Sequence, residues 1–250
     1  MLLSREVDSE LENRANIIYK NGALNQYCTE EQKAIILQNL SCRTYHKGEV
    51  VFYEGQPSFL IYFVSTGLIK LWKEGFHKVE QVIRFSKAGD MLGFWGSLEN
   101  KNYSLSASAI TDSKVYFIKK DVFLPIVQAN LSLTSILHDY IMELKKTEVD
   151  LRNMAEMNVR EKVAHSVLEL MGLFRNKIDE EAYRIVLSRK EISSLSSISE
   201  DRVSKQLSDF KKEKIISVVG DRTVIDENAL QEIIRPYLVM TSALMPFFSF

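Results

Sequence analysis

Cysteine is almost missing from this chain. Cys28 and Cys42 are the only two in 250 residues. Two thiols make no disulfide framework and are too few for a thiolate-ligated zinc or an iron–sulfur site. Histidine is equally sparse: His46, His77, His138 and His165 fall in a turn, a hairpin, a long helix and a later helix, so no metal site is expected. No apolar run approaches the roughly 20 residues of a membrane span. The opening MLLSREVDSELENR lacks the apolar centre of a signal peptide, so the expected location is the cytoplasm. No nucleophile–base set and no phosphate-cradling glycine loop stands out, which argues against an enzyme. Excess charge is missing too: the formal net charge is -1, so any nucleic-acid surface must be a local patch. What remains, 46% apolar and 26% charged, is the composition of a globular protein with one large domain or two ordinary ones.

The texture changes along the chain. Residues 1–24 read as a polar arm, helical or loose. Thr29-Glu30-Glu31-Gln32 is a capping box opening a helix with Ile35, Ile36 and Leu40 on its inner side. From about residue 41 to 119, short runs rich in Val, Ile, Phe, Tyr and Thr alternate with glycine turns at Gly48, Gly55, Gly67, Gly75 and Gly89. Strands at that spacing predict an antiparallel sandwich or barrel. A short helix is expected over 121–130. Leu133, Leu137, Tyr140, Leu144, Thr147, Leu151, Met154 and Asn158 then recur in steps of four and three, a heptad seam. A coiled-coil dimer and a long helix packed on its own sandwich both fit. The pattern breaks near Asn158, where a hinge is placed, and Val163, Val167, Leu170 and Phe174 start a fresh amphipathic helix. Residues 175–186 read as a polar link ending in a strand-like run at 183–187. The C-terminal VMTSALMPFFSF is apolar but short and broken by Pro246, a packing or dimer-contact tail.

Residues 187–216 carry the strongest functional signal. Ser188-Arg189-Lys190-Glu191 is a second capping box, and Ile192 and Leu195 give its helix an apolar face. Ser199 is placed to cap a further helix, with Val203, Leu207 and Phe210 inside and Arg202 and Lys205 outside. Ile215–Val219 and Thr223–Ile225 around Gly220 read as a hairpin. Two helices across a tight turn, followed by a hairpin wing, are what lays one helix in the major groove of DNA, although a helical hairpin inside a core has the same pattern.

Six segments carry a resemblance when taken in order: HKGEVVFYEGQP at 46–57, LIYFVSTGLIKL at 60–71, KAGDMLGFWGSL at 87–98, TDSKVYFIKKDVF at 111–123, VREKVAHSVLEL at 159–170 and the serine-rich run at 188–216. From about residue 25 to 228 the chain resembles the cyclic-AMP receptor/fumarate-nitrate regulator family of bacterial transcription factors. That resemblance implies an α+β fold: a cyclic-nucleotide-binding-like jelly-roll sandwich, a long dimerisation helix and a C-terminal winged helix-turn-helix. The expected divisions are an arm at 1–24, an effector domain at 25–130, a dimer helix at 131–158, a DNA-binding domain at 159–230 and a tail at 231–250. It further implies a homodimer, a pseudo-palindromic double-stranded DNA site and RNA polymerase as a partner. A protein-interaction module that has lost DNA affinity is the alternative, favoured by the acidic Glu200-Asp201 pair.

Departures from the family pattern narrow the effector. Cyclic-AMP binders of the family carry a glutamate after the glycine of the phosphate turn and an Arg-Ser pair shortly afterwards. Here Gly93 matches, Phe94 stands at the glutamate, and Tyr103 and Ser104 stand at the pair. Burying a cyclic phosphate without a cationic donor costs several kcal/mol, so cyclic AMP is not expected. Haem is not expected either, since the turn Gly93-Phe94-Trp95 lacks the family sensor's ligands. Nor is an iron–sulfur cluster, since only Cys28 precedes the sandwich. Phe94, Trp95, Tyr103 and Ser104 are then pocket candidates for a planar or lipid-like ligand, or else core that fills the ancestral site.

In the second helix, Glu200 stands where the family's guanine-reading arginine stands. Asp201 aligns with its glutamate, and Lys205 replaces a later arginine. Arg202 is the expected guanine contact. Glu200 and Asp201 either accept from cytosine or only complement the helix dipole. Ser188, Arg189 and Lys190 are expected on phosphates, with Ser199, Ser204 and Arg222 as further DNA contacts; Lys211, Lys212 and Lys214 are weaker candidates, since a lysine run is usually a solvated face. The half-site should differ from the family's familiar one.

Overall fold

In the computed structural model, residues 21–75, 80–99, 101–174, 180–219 and 222–244 are described. The chain divides into two compact units, one running to residue 144 without 75–81 and one from 145 onward with 75–81. The predicted arm lies outside the described residues up to position 20.

The first unit opens with α1 (Gly22–Tyr27) and α2 (Glu30–Asn39). The Thr29 box forms as expected: Thr29 Oγ1 accepts the Gln32 amide at 3.2 Å and Gln32 Oε1 accepts the Thr29 amide at 3.1 Å. Ile36 and Leu40 are buried, but Ile35 is 44% exposed, because one residue turns a helix by about 100° and carries it off the inner face. The strands follow as β1 (Ser41–Tyr45), β2 (Val50–Phe52), β3 (Leu60–Thr66), β4 (Ile69–Glu74), β5 (Glu80–Ser86) and β6 (Met91–Leu92). After α3 (Phe94–Leu98) come β7 (Ser106–Ala109), β8 (Ser113–Lys119) and α4 (Lys120–Ala129). The strands make two four-stranded sheets, ordered β1-β8-β3-β6 and β2-β7-β4-β5.

Strand β3 is buried on both faces, which is why its sequence runs apolar without alternation. Tyr62 and Val64 enter the space between the sheets with Phe52, Ile69, Leu71, Tyr103, Ala107 and Val115. Ile61 and Phe63 face the helical layer with Leu24, Ile36, Tyr116, Ile118 and Phe123. Gly67 joins β3 to β4 at φ +87°, where a Cβ would lie 2.6 Å from the Asp112 carbonyl oxygen.

A 3-10 turn (Leu131–Thr134) leads into α5 (Ser135–Glu156), which passes from one unit to the other. Leu133, expected in the dimer seam, is instead fully buried among Leu24, Ile36 and Phe123 of its own chain. It precedes α5, so the heptad spacing does not carry it to the helix's outer stripe. Along α5, Leu151 is 40% exposed, and Thr147 and Met154 are half-buried. The side chains of Leu137, Tyr140 and Leu144 lie outside the described residues. Asn158 is not a seam position: it caps α6 (Val159–Leu173), its Oδ1 accepting from the Arg160 and Glu161 amides at 2.9 and 3.1 Å.

The second unit continues with α7 (Glu180–Val186), α8 (Arg189–Ser196), α9 (Glu200–Lys212), the antiparallel pair β9 (Ile216–Val219) and β10 (Arg222–Ile225), and α10 (Glu227–Leu244). The strand expected at 183–187 is a helix. Its β-branched residues suggested extension, but Ala182, Ile185 and Val186 recur at helical spacing and are all buried. The residues read as a tail after 230 continue α10 through Leu244, with Leu230 and Ile234 buried.

Candidate nucleic-acid interface and effector pocket

Helices α8 and α9 meet across Ser197-Ile198-Ser199. Ser197 adopts the left-handed conformation at φ 55°, uncommon for a residue with a Cβ. Ser193 Oγ donates across the turn to the Ile198 carbonyl at 2.5 Å, while Ser196 Oγ donates back within α8 to the Ile192 carbonyl at 2.6 Å. Ile192, Leu195, Ile198, Val203, Leu207 and Phe210 are buried in the same unit as Val163, Val167 and Leu170 of α6. Helix α9 therefore buries one face and leaves the other to solvent, whereas α8 is buried all round from Ile192 to Ser196 and exposes only Arg189 and Lys190 at its start.

Ser188 caps α8, accepting the Glu191 amide at 3.4 Å. Ser199 takes the N-cap position of α9 with extended backbone, but its hydroxyl makes no cap bond. The first turn of α9 instead carries the carboxylates of Glu200 and Asp201, whose charge suits the positive end of the helix dipole.

A groove of about 300 Å³ lies beside α9, lined by Leu187, Arg189, Ser204, Leu207, Ser208, Lys211 and Ile216. Its polar lining is two cations and two hydroxyls with no carboxylate, a donor set that suits a phosphate. Of the expected DNA contacts, Arg189 and Ser204 come together here. Lys211, a weaker candidate in the sequence, joins them together with Ser208, which the sequence did not single out although 204–208–211 is helical spacing. Asp201 and Lys205 are exposed and project nearly opposite the buried stripe. Arg202 is exposed as well, but two residues along a helix put it roughly 160° around from Ser204, away from the groove. Glu200 and Lys190 are exposed. The side chain of Arg222 lies outside the described residues, as do Gly220 and Asp221.

The pocket candidates do not converge. Gly93 is left-handed at φ +75°, and a Cβ there would lie 2.8 Å from Tyr103 Cε1. Phe94 turns into the helical layer, edge-on to Phe123 with ring centroids 6.3 Å apart, and is 2% exposed. Tyr103 goes the other way, into the sandwich. Its ring stacks on Phe52 at 4.1 Å, and its hydroxyl donates to the Leu60 carbonyl at 2.8 Å. Burial raises the pKa of its phenol, as it does for Tyr62. Trp95 is half-buried and Ser104 exposed. Phe94 offers no acceptor where the family's cyclic-AMP binders carry a glutamate, and Tyr103, its hydroxyl bonded to backbone, brings no cation where they carry an arginine. The described residues hold no group of three or more metal-ligating side chains.

Two family models match the chain in tandem: "Cyclic nucleotide-binding domain" over residues 42–130 and "Crp-like helix-turn-helix domain" over residues 161–233. The chain belongs to the cyclic-AMP receptor/fumarate-nitrate regulator family. Within the family it is similar to the cyclic AMP receptor protein of Thermus thermophilus, with 21% identity over 217 residues covering 85% of this chain and 96% of that one. The fumarate and nitrate reduction regulatory protein of Yersinia pestis is 24% identical over 184 residues, 73% of each chain. Among solved structures, a transcriptional regulator of the crp/fnr family from Eubacterium rectale has the same fold, with a TM-score of 0.69 at 15% identity over 87% of this chain and 99% of that one. The family's members are transcriptional regulators that act through a helix-turn-helix. No described helix is long and apolar enough to cross a membrane.

Proposed function

We propose that this protein is a homodimeric, sequence-specific regulator that binds a pseudo-palindromic duplex and does not respond to cyclic AMP. The observation carrying the reading is the groove where Arg189 and Lys211 flank Ser204 and Ser208 beside the exposed face of α9. Arg189 and Lys211 serve as phosphate contacts that set the register, while Asp201 and Lys205 face the base edges: the carboxylate accepts from a cytosine amino group and the ammonium donates to guanine. Arg202, on the flank, reaches a base only where the groove wall wraps round the helix. RNA polymerase is the partner expected from the family's activity. Tyr103, packed where a nucleotide would need space and a cation, supports independence from cyclic AMP.

Selection from random duplex tests the reading. It should enrich a two-fold symmetric site with half-sites about one helical turn apart. On that site, Arg189→Ala and Lys211→Ala should weaken binding to all sequences alike and flatten the salt dependence by about one unit each, while Lys205→Ala should relax preference at one base pair. No enriched sequence would leave the interaction-module reading in its place. Millimolar cyclic AMP should neither release heat on titration nor change DNA affinity.

A further inference from the structure

The first turn of α6, directly after the Asn158 cap, gathers contacts from two other elements of the second unit. Arg160 is the second residue of that helix. Its Nη1 and Nη2 donate to the two carboxylate oxygens of Glu213 at 2.7 and 2.5 Å. Its guanidinium carbon also lies 5.0 Å from the centre of the Phe210 ring, which is fully buried. Glu213 is the C-cap of α9, and the chain then turns sharply through Lys214 at φ 62°. Next to Arg160, Glu161 closes the capping box and receives the Tyr237 hydroxyl of α10 at 3.4 Å. The carboxyl pKa of Glu213 is lowered, first by the Arg160 hydrogen bond.

We propose that Arg160 is a positioning residue for the reading helix, acting through Glu213 and Phe210; this rests on the DNA-reading assignment above. A two-pronged guanidinium–carboxylate bond fixes direction as well as distance, which a lysine's single ammonium does not. Stacking on Phe210 adds a second point on the same last turn of α9. The grip holds the reading helix at the end opposite its base-contacting first turns, and holds it to the helix that starts at the Asn158 cap. In a dimer the two reading helices must lie about one turn of DNA apart, so the angle set at this grip sets the half-site spacing the dimer accepts.

The test uses the full-length protein on the selected palindrome, on variants with the half-sites one base pair nearer or farther, and on a single half-site. Arg160→Ala should lower affinity for the best spacing by about fivefold, the order expected for losing one partly exposed ion pair. It should lower affinity for the altered spacings less, so the spacing optimum broadens, and leave the single half-site unchanged. Glu213→Gln should reproduce this with minimal change of shape. Arg160→Lys should fall between wild type and alanine, and the exchanged pair Arg160→Glu with Glu213→Arg should recover the sharp optimum. Circular dichroism of each variant confirms that the fold is kept. Equal weakening at every spacing and on the single half-site, or no recovery by the exchanged pair, overturns the positioning role. If wild type enriches no sequence at all, the DNA-reading assignment fails instead.

Discussion

Tyr103 does two separable jobs. Its ring fills space against Phe52, and its hydroxyl satisfies the Leu60 carbonyl. Tyr103→Phe keeps the ring and strands the carbonyl, so chemical denaturation should show a loss of about 1 kcal/mol. Tyr103→Ala should cost about 3–5 kcal/mol, since a buried aromatic is removed and a cavity left; equal losses in the two variants would mean that the ring does not pack as described. Phe94 shows why the sequence could nominate these residues without assigning their directions. Strand β3 has apolar neighbours on both sides, so an apolar residue at the Gly93 turn could have faced either layer. Only the fold sends Phe94 to the helices and Tyr103 between the sheets. Glu169 was not legible at all. Burial, with Asp150 next, pushes its pKa up to about 7, and His165 Nδ1 lies 3.9 Å away. A carboxyl whose folded pKa exceeds its unfolded one favours folding most below about pH 4.5, and that contribution is lost as pH rises through 7. Asp150 is raised in the same direction by its own burial, whereas burial lowers His165, which opposes folding as pH falls. Because 35% of the Glu169 side chain still meets solvent, the effect is modest. Glu169→Gln should stabilise the protein by about 1 kcal/mol at pH 8 and by less at pH 5; thermal melts at the two pH values check the sign.

At the level of elements, capping residues were the most legible feature, because a cap is a local bond between neighbours in sequence. The Thr29 box and the Ser188 cap formed where the spacing placed them, and Asn158, read as the break in a heptad, proved to be a cap that explains the break. Asn158→Ala removes an acceptor for two amides at the start of α6, so it should cost about 1 kcal/mol and lower the melting temperature by a few degrees. Asn158→Asp, which keeps the acceptor, should not. Failures arose where tertiary contacts overrode local preference. The run at 183–187 has strand-forming residues but folds as α7, because burying Ala182, Ile185 and Val186 on one stripe outweighs a propensity spread of about 1 kcal/mol. The outward face of α9 was legible only in part. Its buried stripe of Val203, Leu207 and Phe210 follows from period alone, and with it the exposure of Asp201 and Lys205. That Arg189 of α8 shares a groove with Ser204, Ser208 and Lys211 depends on how the two helices cross, which no spacing within either helix encodes.

At the scale of the whole molecule, the division into two units falls inside α5, between residues 144 and 145. Helix α5 also carries exposed apolar positions that a second copy would cover. Leu151 and Ile141 are 40% and 45% exposed on α5, apolar surface that a lone helix would leave in water. With Leu133 committed to its own core, the seam open to a partner helix narrows to Leu137, Tyr140, Leu144, Thr147, Leu151 and Met154, still in steps of three and four. A polar Thr147 within it would fix register at some cost in stability. The full chain should therefore sediment at twice its mass of 28.8 kDa. Leu151→Asp places a charge where two helices would meet, and like charges facing across such a seam repel while losing water. That variant should shift toward the monomer in sedimentation equilibrium. Its affinity for the palindrome should drop sharply while single half-site affinity stays the same, because each copy keeps its own α8, α9 and groove. A Leu151→Asp protein that remains dimeric would place the partner on another face of the molecule. One that becomes monomeric yet binds the palindrome as tightly as wild type would show that DNA affinity does not depend on pairing the two readers through α5.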